Sequence, residues 1–305
     1  MQVMRRSDFK RQLQAGLNTV FGMEYKRHPE QWRQVYDVTD TNKAYEEDVL
    51  MAGLGAAQVK PEGSGVAYDA GAELWTAKHV METIALAFAI TEEAIEDGLY
   101  GNLGAKYSRA LARSMQHTKE LKGASLLNNA FSSNHAIGDG RPMIDASHPL
   151  YYGGVMSNTL ATPADIAEAS LEDLINVIAM IKDDRGIPMS LTALKLIAHP
   201  TQQFVLERLL KTTGRPGTAD NDVNAIKNMG LLPQGVGYMH RLTDPNAWFI
   251  KTDASDGLKY WRRKALQRGV EGDFDTGNLR YKARERYRFS ITDPRAIFGS
   301  SGNGN

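Results

Sequence analysis

The feature of this sequence that most restricts its fold is a two-residue period over residues 74–90, "LWTAKHVMETIALAFAI". The even-numbered residues from Leu74 to Ile90 alternate with the odd-numbered residues from Trp75 to Ala89. Successive side chains of a β-strand point to opposite faces, so this alternation predicts extended chain. A single strand of this kind would have about 17 residues and a length of roughly 55–60 Å, whereas most strands have about 3–10 residues. Because such a strand is longer than a compact domain, we expect an arm that reaches a neighbouring subunit.

The segment before this strand, residues 51–71, is rich in glycine and contains few large apolar side chains: "MAGLGAAQVKPEGSGVAYDAG". It has too little apolar bulk to form a core, and its glycines favour turns, so we expect a flexible loop or the tip of a hairpin. The "GLGAAQ" within it resembles the start of a dinucleotide-binding fingerprint. However, Gln58 replaces the last glycine and no β-α-β unit surrounds it, so we predict no nucleotide site here.

Two helices are predicted from apolar stripes with a spacing of four residues. The stripe of the first, a leader helix, consists of Phe9, Leu13, Leu17 and Phe21. The stripe of the second consists of Leu99, Leu103, Tyr107, Leu111 and Met115. If it ran unbroken from Thr91 to Ala130, the second helix would have nearly 40 residues and a length of about 60 Å. Glycines weaken its first turns, so we expect the regular part to begin near Lys106. The spacing favours a single helix laid along a sheet over a coiled coil.

Residues 161–270 are predicted to form a compact unit of helices and strands. A capped amphipathic helix pattern in 162–186 is followed by strand patterns at 194–199, "LKLIAH", and 247–252, "AWFIKT". The paired aspartates of "KDDRG" follow the helix pattern and precede Gly186, so we interpret them as a solvated helix end. A last strand is predicted at 279–292, and we expect it to return to the first half of the chain.

This last strand carries a basic residue at every second position, and the five are Arg280, Lys282, Arg284, Arg286 and Arg288. The residues between them are Tyr281, Ala283, Glu285 and Tyr287. As one strand, the segment would present five cations on one face and a mostly apolar surface on the other. Such a face could bind nucleic acid, form an anion site in an enzyme, or serve a structural contact.

Composition limits these alternatives. The 36 basic and 36 acidic residues cancel, whereas a chain built mainly to bind nucleic acid is usually basic overall. The absence of cysteine excludes disulfides, thiolate metal sites and cysteine nucleophiles. No apolar run is long enough to cross a bilayer, and the N-terminus lacks the apolar core of a signal peptide. We therefore predict a protein without membrane contact.

The usual catalytic signatures are missing as well. The seven histidines are scattered, and neither a G-x-S-x-G elbow nor a phosphate-binding loop is present. The "DFDTGN" at 273–278 resembles a calcium loop, but Arg284 stands where a bidentate glutamate is needed. We predict no catalytic residues, no metal and no cofactor, and therefore not an enzyme.

Four phrases, in their order along the chain, resemble a known family. They are "AFAITEEAIEDGLYGNLG", "HPLYYGGVMSN", "LTDPNAWFIKTDASDGLKYWRR" and "RERYRFSITDPRAIFGSSG". Together they resemble the major capsid proteins of tailed bacteriophages, which have the fold named after phage Hong Kong 97. The resemblance covers nearly the whole chain. It matches a leader arm, a long hairpin, a long helix, an α/β block and a returning strand.

The resemblance implies an α+β fold with four parts. These are an N-terminal arm at 1–44, an extended loop at 45–90, a peripheral domain with a spine helix at 91–160 and 271–305, and an axial domain at 161–270. It also implies hexamers and pentamers that close into an icosahedral head around double-stranded DNA, assembled in the cytoplasm of a host bacterium. Scaffolding, portal and possible decoration proteins are the implied partners. Because the arm begins almost at Met1, we expect either a separate scaffolding protein or the prior removal of a scaffold segment.

In such a shell, we expect the arginines of the last strand to meet carboxylates across subunit boundaries or within the domain, in preference to DNA. The candidate carboxylates are Glu46, Glu47, Asp48, Glu92, Glu93 and Glu96.

Two alternatives to a phage capsid protein stay open at this point. One is the shell of a non-viral protein nanocompartment with the same fold. The other is a soluble nucleic-acid-binding protein or hydrolase that uses the basic strand.

Overall fold

The computed structural model describes residues 6–27, 29–91, 93, 100–214, 223–273 and 277–303. Its α-helices are α1 (Arg6–Tyr25), α2 (Tyr100–Asn128), α3 (Glu168–Ala179), α4 (Gln203–Lys211) and α5 (Ala225–Met229). Short 3-10 helices cover Gln31–Gln34, Ser133–His135, Pro200–Gln202 and Pro294–Ala296. The first six strands are β1 (Asp37–Asp40), β2 (Tyr45–Ala52), β3 (Ala72–Val80), β4 (Glu82–Ile90), β5 (His148–Pro149) and β6 (Val155–Met156). The others are β7 (Ala193–Ala198), β8 (Val236–Tyr238), β9 (Trp248–Thr252), β10 (Leu258–Gly272), β11 (Leu279–Ile291) and β12 (Ile297–Ser300).

The first sheet has the order β1-β10-β11-β4, with the last predicted strand, β11, in its interior. β11 is antiparallel to both β10 and β4, and β1 adds to β10 in parallel. The long helix α2 and the leader helix α1 pack against one face of this sheet, where Leu17 and Phe21 of α1 meet Leu111 of α2 and Tyr281 of β11. The predicted leader helix, the spine helix along a sheet and the returning strand are thus confirmed.

The second sheet has the order β12-β9-β7-β8 and is covered by α3 and α4, which supply Leu171, Leu174 and Leu206 to its core. The predicted strands at 194–199 and 247–252 are confirmed as β7 and β9. The edge strand β12 comes from the C-terminal residues, which the sequence did not mark as a strand. A third core cluster includes Trp32, Val35 and Tyr36 and joins the N-terminal arm to the first sheet.

The prediction of one long strand over residues 74–90 is wrong. The chain breaks at Met81, which is buried and donates its backbone N–H to Ala44 O at 3.1 Å. Before the break, β3 pairs with β2 in a separate two-stranded sheet. After it, β4 joins the first sheet. The inward-facing positions change from odd-numbered residues in β3 (Ala77 and His79, both buried) to even-numbered ones in β4 (Ile84 and Phe88, partly buried, and Ile90, buried). Alternation alone cannot show this change because both phases have the same period.

The helix α2 has 29 residues and already includes Gly101 and Gly104. The expectation that its regular part begins near Lys106 is therefore wrong, because packing of one helix face against α1, β4 and β11 outweighs the low helix propensity of glycine. Leu111 and Met115 of the apolar stripe are buried, while Tyr107 is half-exposed and stacks near Phe88. Leu99 lies outside the described residues.

Candidate assembly surfaces

The outward side of β11 carries the predicted row of cations, which we call the basic face: Arg280, Lys282, Arg284, Arg286 and Arg288. Four of the five are exposed and Arg286 is half-buried. The alternate residues Tyr281, Ala283 and Tyr287 are buried against the helices. The alternation read from the sequence is therefore confirmed, and the cations share one face of the sheet.

The two ends of the basic face are paired within the chain, but its centre is not. Arg280 forms an ion pair with Asp273, and Arg288 forms one with Glu82. Among the residues that the structure describes, Lys282, Arg284 and Arg286 form no ion pair, and Arg284 Nε only donates to Gln267 Oε1 at 3.3 Å. The centre therefore carries positive charge without a carboxylate partner from the described part of the chain.

Strand β10 adds to this charge. Its Lys264 lies directly opposite Arg286 in the ladder, and like charges in such positions repel each other. The β10 ladder is irregular on both sides of Lys264. Beside this irregularity lies an open cavity of about 440 Å³ that is lined by Gln267, Arg268, Gly269, Lys282 and Arg284. The arrangement provides a concave, cationic surface suited to an anionic group.

The first three predicted partners lie on β2 and are engaged locally. Glu46 accepts hydrogen bonds from Thr41 and, at 3.1 Å, from Lys43. Glu47 lies 3.5 Å from Lys78 on the facing strand β3, and both side chains are about half-exposed. Thus neither glutamate contacts the basic face within one chain.

Asp48 is held more firmly than its two neighbours. Its Oδ2 accepts from Lys259 Nζ at 3.2 Å and from Thr292 Oγ1 at 2.9 Å, and it lies 3.8 Å from His79 Nε2. Burial lowers the pKa of His79, although the charge of Asp48 opposes this shift. Asp48 therefore fixes the base of the β2–β3 hairpin to the first sheet.

The remaining candidates precede the long helix. Glu93 is exposed, whereas Glu92 and Glu96 lie outside the described residues. Of the predicted carboxylates that the structure describes, Glu47 and Glu93 are thus the exposed ones. Pairing between subunits stays a prediction for all of them.

The buried face of β11 contains one acid, Glu285, which is 2 % exposed. Its Oε2 lies 2.5 Å from Lys119 Nζ of α2, and its Oε1 accepts from the hydroxyl of Tyr25 in α1 at 2.9 Å. Burial and the neighbouring Glu285 charge raise the pKa of Tyr25 well above its usual value. This network joins three elements beneath the basic face. One sign of this network is visible in the sequence, an acid at an inward position of an alternating strand.

The hairpin of β2 and β3, which we call the extended loop (residues 45–80), is paired from Tyr45↔Val80 to Ala52↔Ala72. Beyond the last pair lies its tip, residues 53–71. There Val59 and Tyr68 are 95 % and 99 % exposed, and Leu54 and Val66 are also largely exposed. The prediction of a glycine-rich hairpin tip is confirmed. Its apolar side chains are not covered by the described part of the chain.

The extended loop and the hairpin of β10 and β11 have opposite net charges. The extended loop contains six carboxylates and two lysines, a net charge of −4, whereas residues 258–291 contain ten basic and four acidic residues, a net charge of +6. Opposite potentials of this kind favour contact between copies of a chain.

The "HPLYYGGVMSN" phrase forms a buried polar network that supports the C-terminal segment. His148 Nδ1 lies 2.5 Å from Asp139 Oδ2, and its Nε2 lies 3.2 Å from Asn158 Oδ1. Asn158 Nδ2 donates to the carbonyls of Met143, Pro294 and Ile297.

The interpretation of "KDDRG" as a solvated helix end is wrong for Asp184, which is buried and binds Arg295 Nη2 at 2.9 Å.

No described helix is long and apolar enough to span a membrane. Within the described ranges, no three histidine or carboxylate side chains come together as a metal site would require.

Comparisons with known proteins indicate both a family and a fold. The model of the phage capsid protein family matches residues 76–299. The structure resembles a virus-like particle from Pyrococcus furiosus, with a TM-score of 0.54, 11 % identity, and coverage of 94 % of this chain and 98 % of that one. It also resembles the procapsid of bacteriophage JBD30 (TM-score 0.52, 16 % identity, 99 % and 77 % covered). A third similar structure is the capsid of Myoviridae phage XM1 (TM-score 0.51, 10 % identity, 88 % and 90 % covered). A search of curated protein sequences found no match.

The spine helix beneath a sheet, the second sheet and the extended loop define a structural shell protein with the Hong Kong 97-type fold. The family model spans well over half of the sequence, and the chain belongs to the phage capsid protein family. The resemblance read from the four phrases is thus confirmed in both family and fold.

Proposed function

We propose that this chain is a major head protein that assembles as hexamers and pentamers into the icosahedral capsid of a tailed phage enclosing double-stranded DNA. Assembly takes place in the host cytoplasm with scaffolding and portal proteins, and with decoration proteins if the head requires them. The role is structural and not catalytic. We divide the chain into an arm at 1–44, a second part at 45–90 that contains the extended loop and β4, a peripheral domain at 91–160 and 271–305, and an axial domain at 161–270.

The observation that carries this proposal is the exposed tip of the extended loop. A soluble monomer rarely leaves large apolar side chains such as Val59 and Tyr68 almost fully exposed on one projecting segment. A second copy of the chain can cover them, and projecting loops bury more area between subunits than compact surfaces do. The tip therefore favours an assembled protein.

Charge supports the same proposal and suggests where the loop binds. The loop's net charge of −4 fits the +6 of the β10–β11 hairpin. Lys282, Arg284 and Arg286 at the centre of the basic face can form forked or single hydrogen bonds with carboxylates of a neighbouring loop. Glu47 is the exposed one among the three predicted carboxylates of β2. We place the basic face at a contact between subunits in preference to DNA.

The test is to express the full chain with and without a scaffolding protein. Size-exclusion chromatography and negative-stain electron microscopy then report the assembly. The proposal predicts capsomers or megadalton shells, with DNA packaged when portal and packaging proteins are supplied. Closed shells that never take up DNA would support the nanocompartment alternative. A monomer with salt-sensitive DNA affinity would contradict the proposal and favour the nucleic-acid-binding alternative.

A further inference from the structure

We propose that Arg185 positions the tip of the extended loop for binding to a second copy, and that the buried Asp184–Arg295 ion pair holds Arg185 in place for this task. The inference rests on the proposed shell function, and it assigns a specific role to the "KDDRG" turn and to the Asp-Pro-Arg segment near the C-terminus.

The guanidinium of Arg185 binds both legs of the loop at once. Its Nε donates to Gly53 O at 3.1 Å, Nη1 lies 3.3 Å from Asp69 Oδ1, and Nη2 donates to Ala70 O. These contacts lie just beyond Ala52↔Ala72, where the paired strands end. Arg185 therefore holds the two legs together at the point where the tip begins.

The contact is ordered on both sides. Asp69 Oδ2 accepts from Gly55 N at 2.7 Å and Oδ1 accepts from Ala70 N at 2.9 Å. These two N–H groups, followed by the charge of Arg185, lower the pKa of Asp69. The guanidinium also lies 4.2 Å from the ring centroid of Tyr152, and this cation–π contact adds to its support.

The turn that presents Arg185 is itself fixed to the core. Asp183 Oδ1 accepts from the backbone N–H groups of Arg185 and Ile187, each at 2.8 Å, and Gly186 has the positive φ of 80° that closes the turn. Asp184 points the other way, and its side chain and that of Arg295 are only 4 % and 5 % exposed. Successive residues of one turn thus face the core and the loop.

The position of the contact favours positioning over inhibition. Arg185 binds Gly53, Asp69 and Ala70, which we call the neck of the loop. It leaves Val59 and Tyr68, farther along the tip, almost fully exposed. A contact that blocked assembly would have to cover these side chains. Fixing the neck instead removes conformational freedom before the tip meets a neighbour, which lowers the entropy cost of binding.

The experiment compares Arg185→Gln and Arg185→Lys with the wild type. The matched control is Arg208→Gln, which changes an exposed arginine whose side chain has no ion-pair partner among the described residues. Hydrogen–deuterium exchange is measured over residues 53–71 in the unassembled subunit. We expect exchange at Gly55 and Ala70 to be about tenfold faster in Arg185→Gln, corresponding to about 1.4 kcal/mol of local stability. We expect faster exchange in Arg185→Lys as well, because an ammonium group cannot bind both sides of the loop at once.

Assembly is then measured by light scattering against protein concentration. We expect Arg185→Gln to require a several-fold higher concentration than the wild type and Arg208→Gln to behave normally. Unchanged exchange in Arg185→Gln, or assembly at a lower concentration, would overturn the inference. Failure of the wild type to form shells would overturn the proposed function instead, so the two failures are distinguishable.

The role of the ion pair has its own variant. Arg295→Lys keeps the charge beside Asp184 but loses the fork, and thermal unfolding verifies that the chain is folded. We expect faster exchange over residues 53–71 although Arg185 is unaltered. Normal exchange in a folded Arg295→Lys variant would show that the turn does not depend on the ion pair and would overturn that part of the inference.

Discussion

The two faces of β11 differ in how their charges are compensated. On the inner face, Glu285 is buried and bound by both Lys119 and Tyr25. On the outer face, Lys282, Arg284 and Arg286 have no carboxylate partner among the described residues of the chain. The inner ion pair therefore forms when one subunit folds, whereas the three outer cations remain open to another molecule. We propose that this strand serves folding on one side and assembly on the other.

The largest effect is expected from breaking the inner pair. Lys119→Met leaves Glu285 as an unpaired charge at 2 % exposure, and the removal of one partner from a buried ion pair costs about 3–5 kcal/mol. Chemical denaturation of the unassembled subunit measures this loss. The double variant Lys119→Met/Glu285→Leu is expected to recover part of it, because no charge is then left unpaired.

A matched control for the first prediction lies on the same helix. Lys122 pairs with Glu82 at 2.6 Å, but the two side chains are 44 % and 33 % exposed. Lys122→Met is expected to cost less than about 1 kcal/mol because solvent screens an exposed pair. Equal losses for Lys119→Met and Lys122→Met would remove the contrast between the buried and the exposed ion pair.

A second prediction concerns the tip of the extended loop. Val59→Ser and Tyr68→Ser are expected to change the free energy of unfolding of the subunit by less than about 0.5 kcal/mol, since neither side chain is packed. The same variants are expected to reduce shell yield, because the apolar area is buried only between copies. Denaturation and sedimentation of the same samples test both halves. A loss of subunit stability without a loss of assembly would be the opposite of the expected result.

The smallest effect is a pH dependence at the edge of the basic face. Burial alone would raise the pKa of Glu82, but the hydrogen bond from Lys122 and the charge of Arg288 outweigh it and bring the pKa below 4.5. A carboxyl whose folded-state pKa is lowered adds stability above its unfolded pKa and loses it as the pH falls through the folded value. Wild-type stability is therefore expected to fall more steeply below about pH 4.5 than that of Glu82→Gln. Parallel curves from pH 7 to pH 3 would exclude this contribution.

The sequence was most informative where one pattern determines one structure. The alternation at 279–292 predicted both β11 and the side on which its cations lie, because a central strand with one buried face has little freedom of register. The glycine-rich segment likewise predicted the hairpin tip. The four phrases predicted the family and the order of the elements.

The sequence was less informative where distant residues determine the outcome. The change of buried phase at Met81 depends on β3 pairing with β2 while β4 pairs with β11. Asp184 and Glu285 are charged residues whose burial depends on Arg295 and Lys119, far away in the sequence. Nothing local distinguishes Asp184 from a solvated residue, and the inward position of Glu285 in its strand does not identify Lys119 as its partner. The partners of the basic face depend on a second molecule and stay a prediction.

The central claim, that the outer face of β11 is completed by another copy, is tested most directly by Lys282→Gln/Arg284→Gln/Arg286→Gln. Sedimentation velocity gives the fraction of protein in shells, and nucleic-acid absorbance gives the DNA in packaged particles. We predict a variant with the wild-type denaturation midpoint that stays largely unassembled. Shells formed as readily as by the wild type, with DNA retention impaired, would contradict the claim and assign the basic face to DNA.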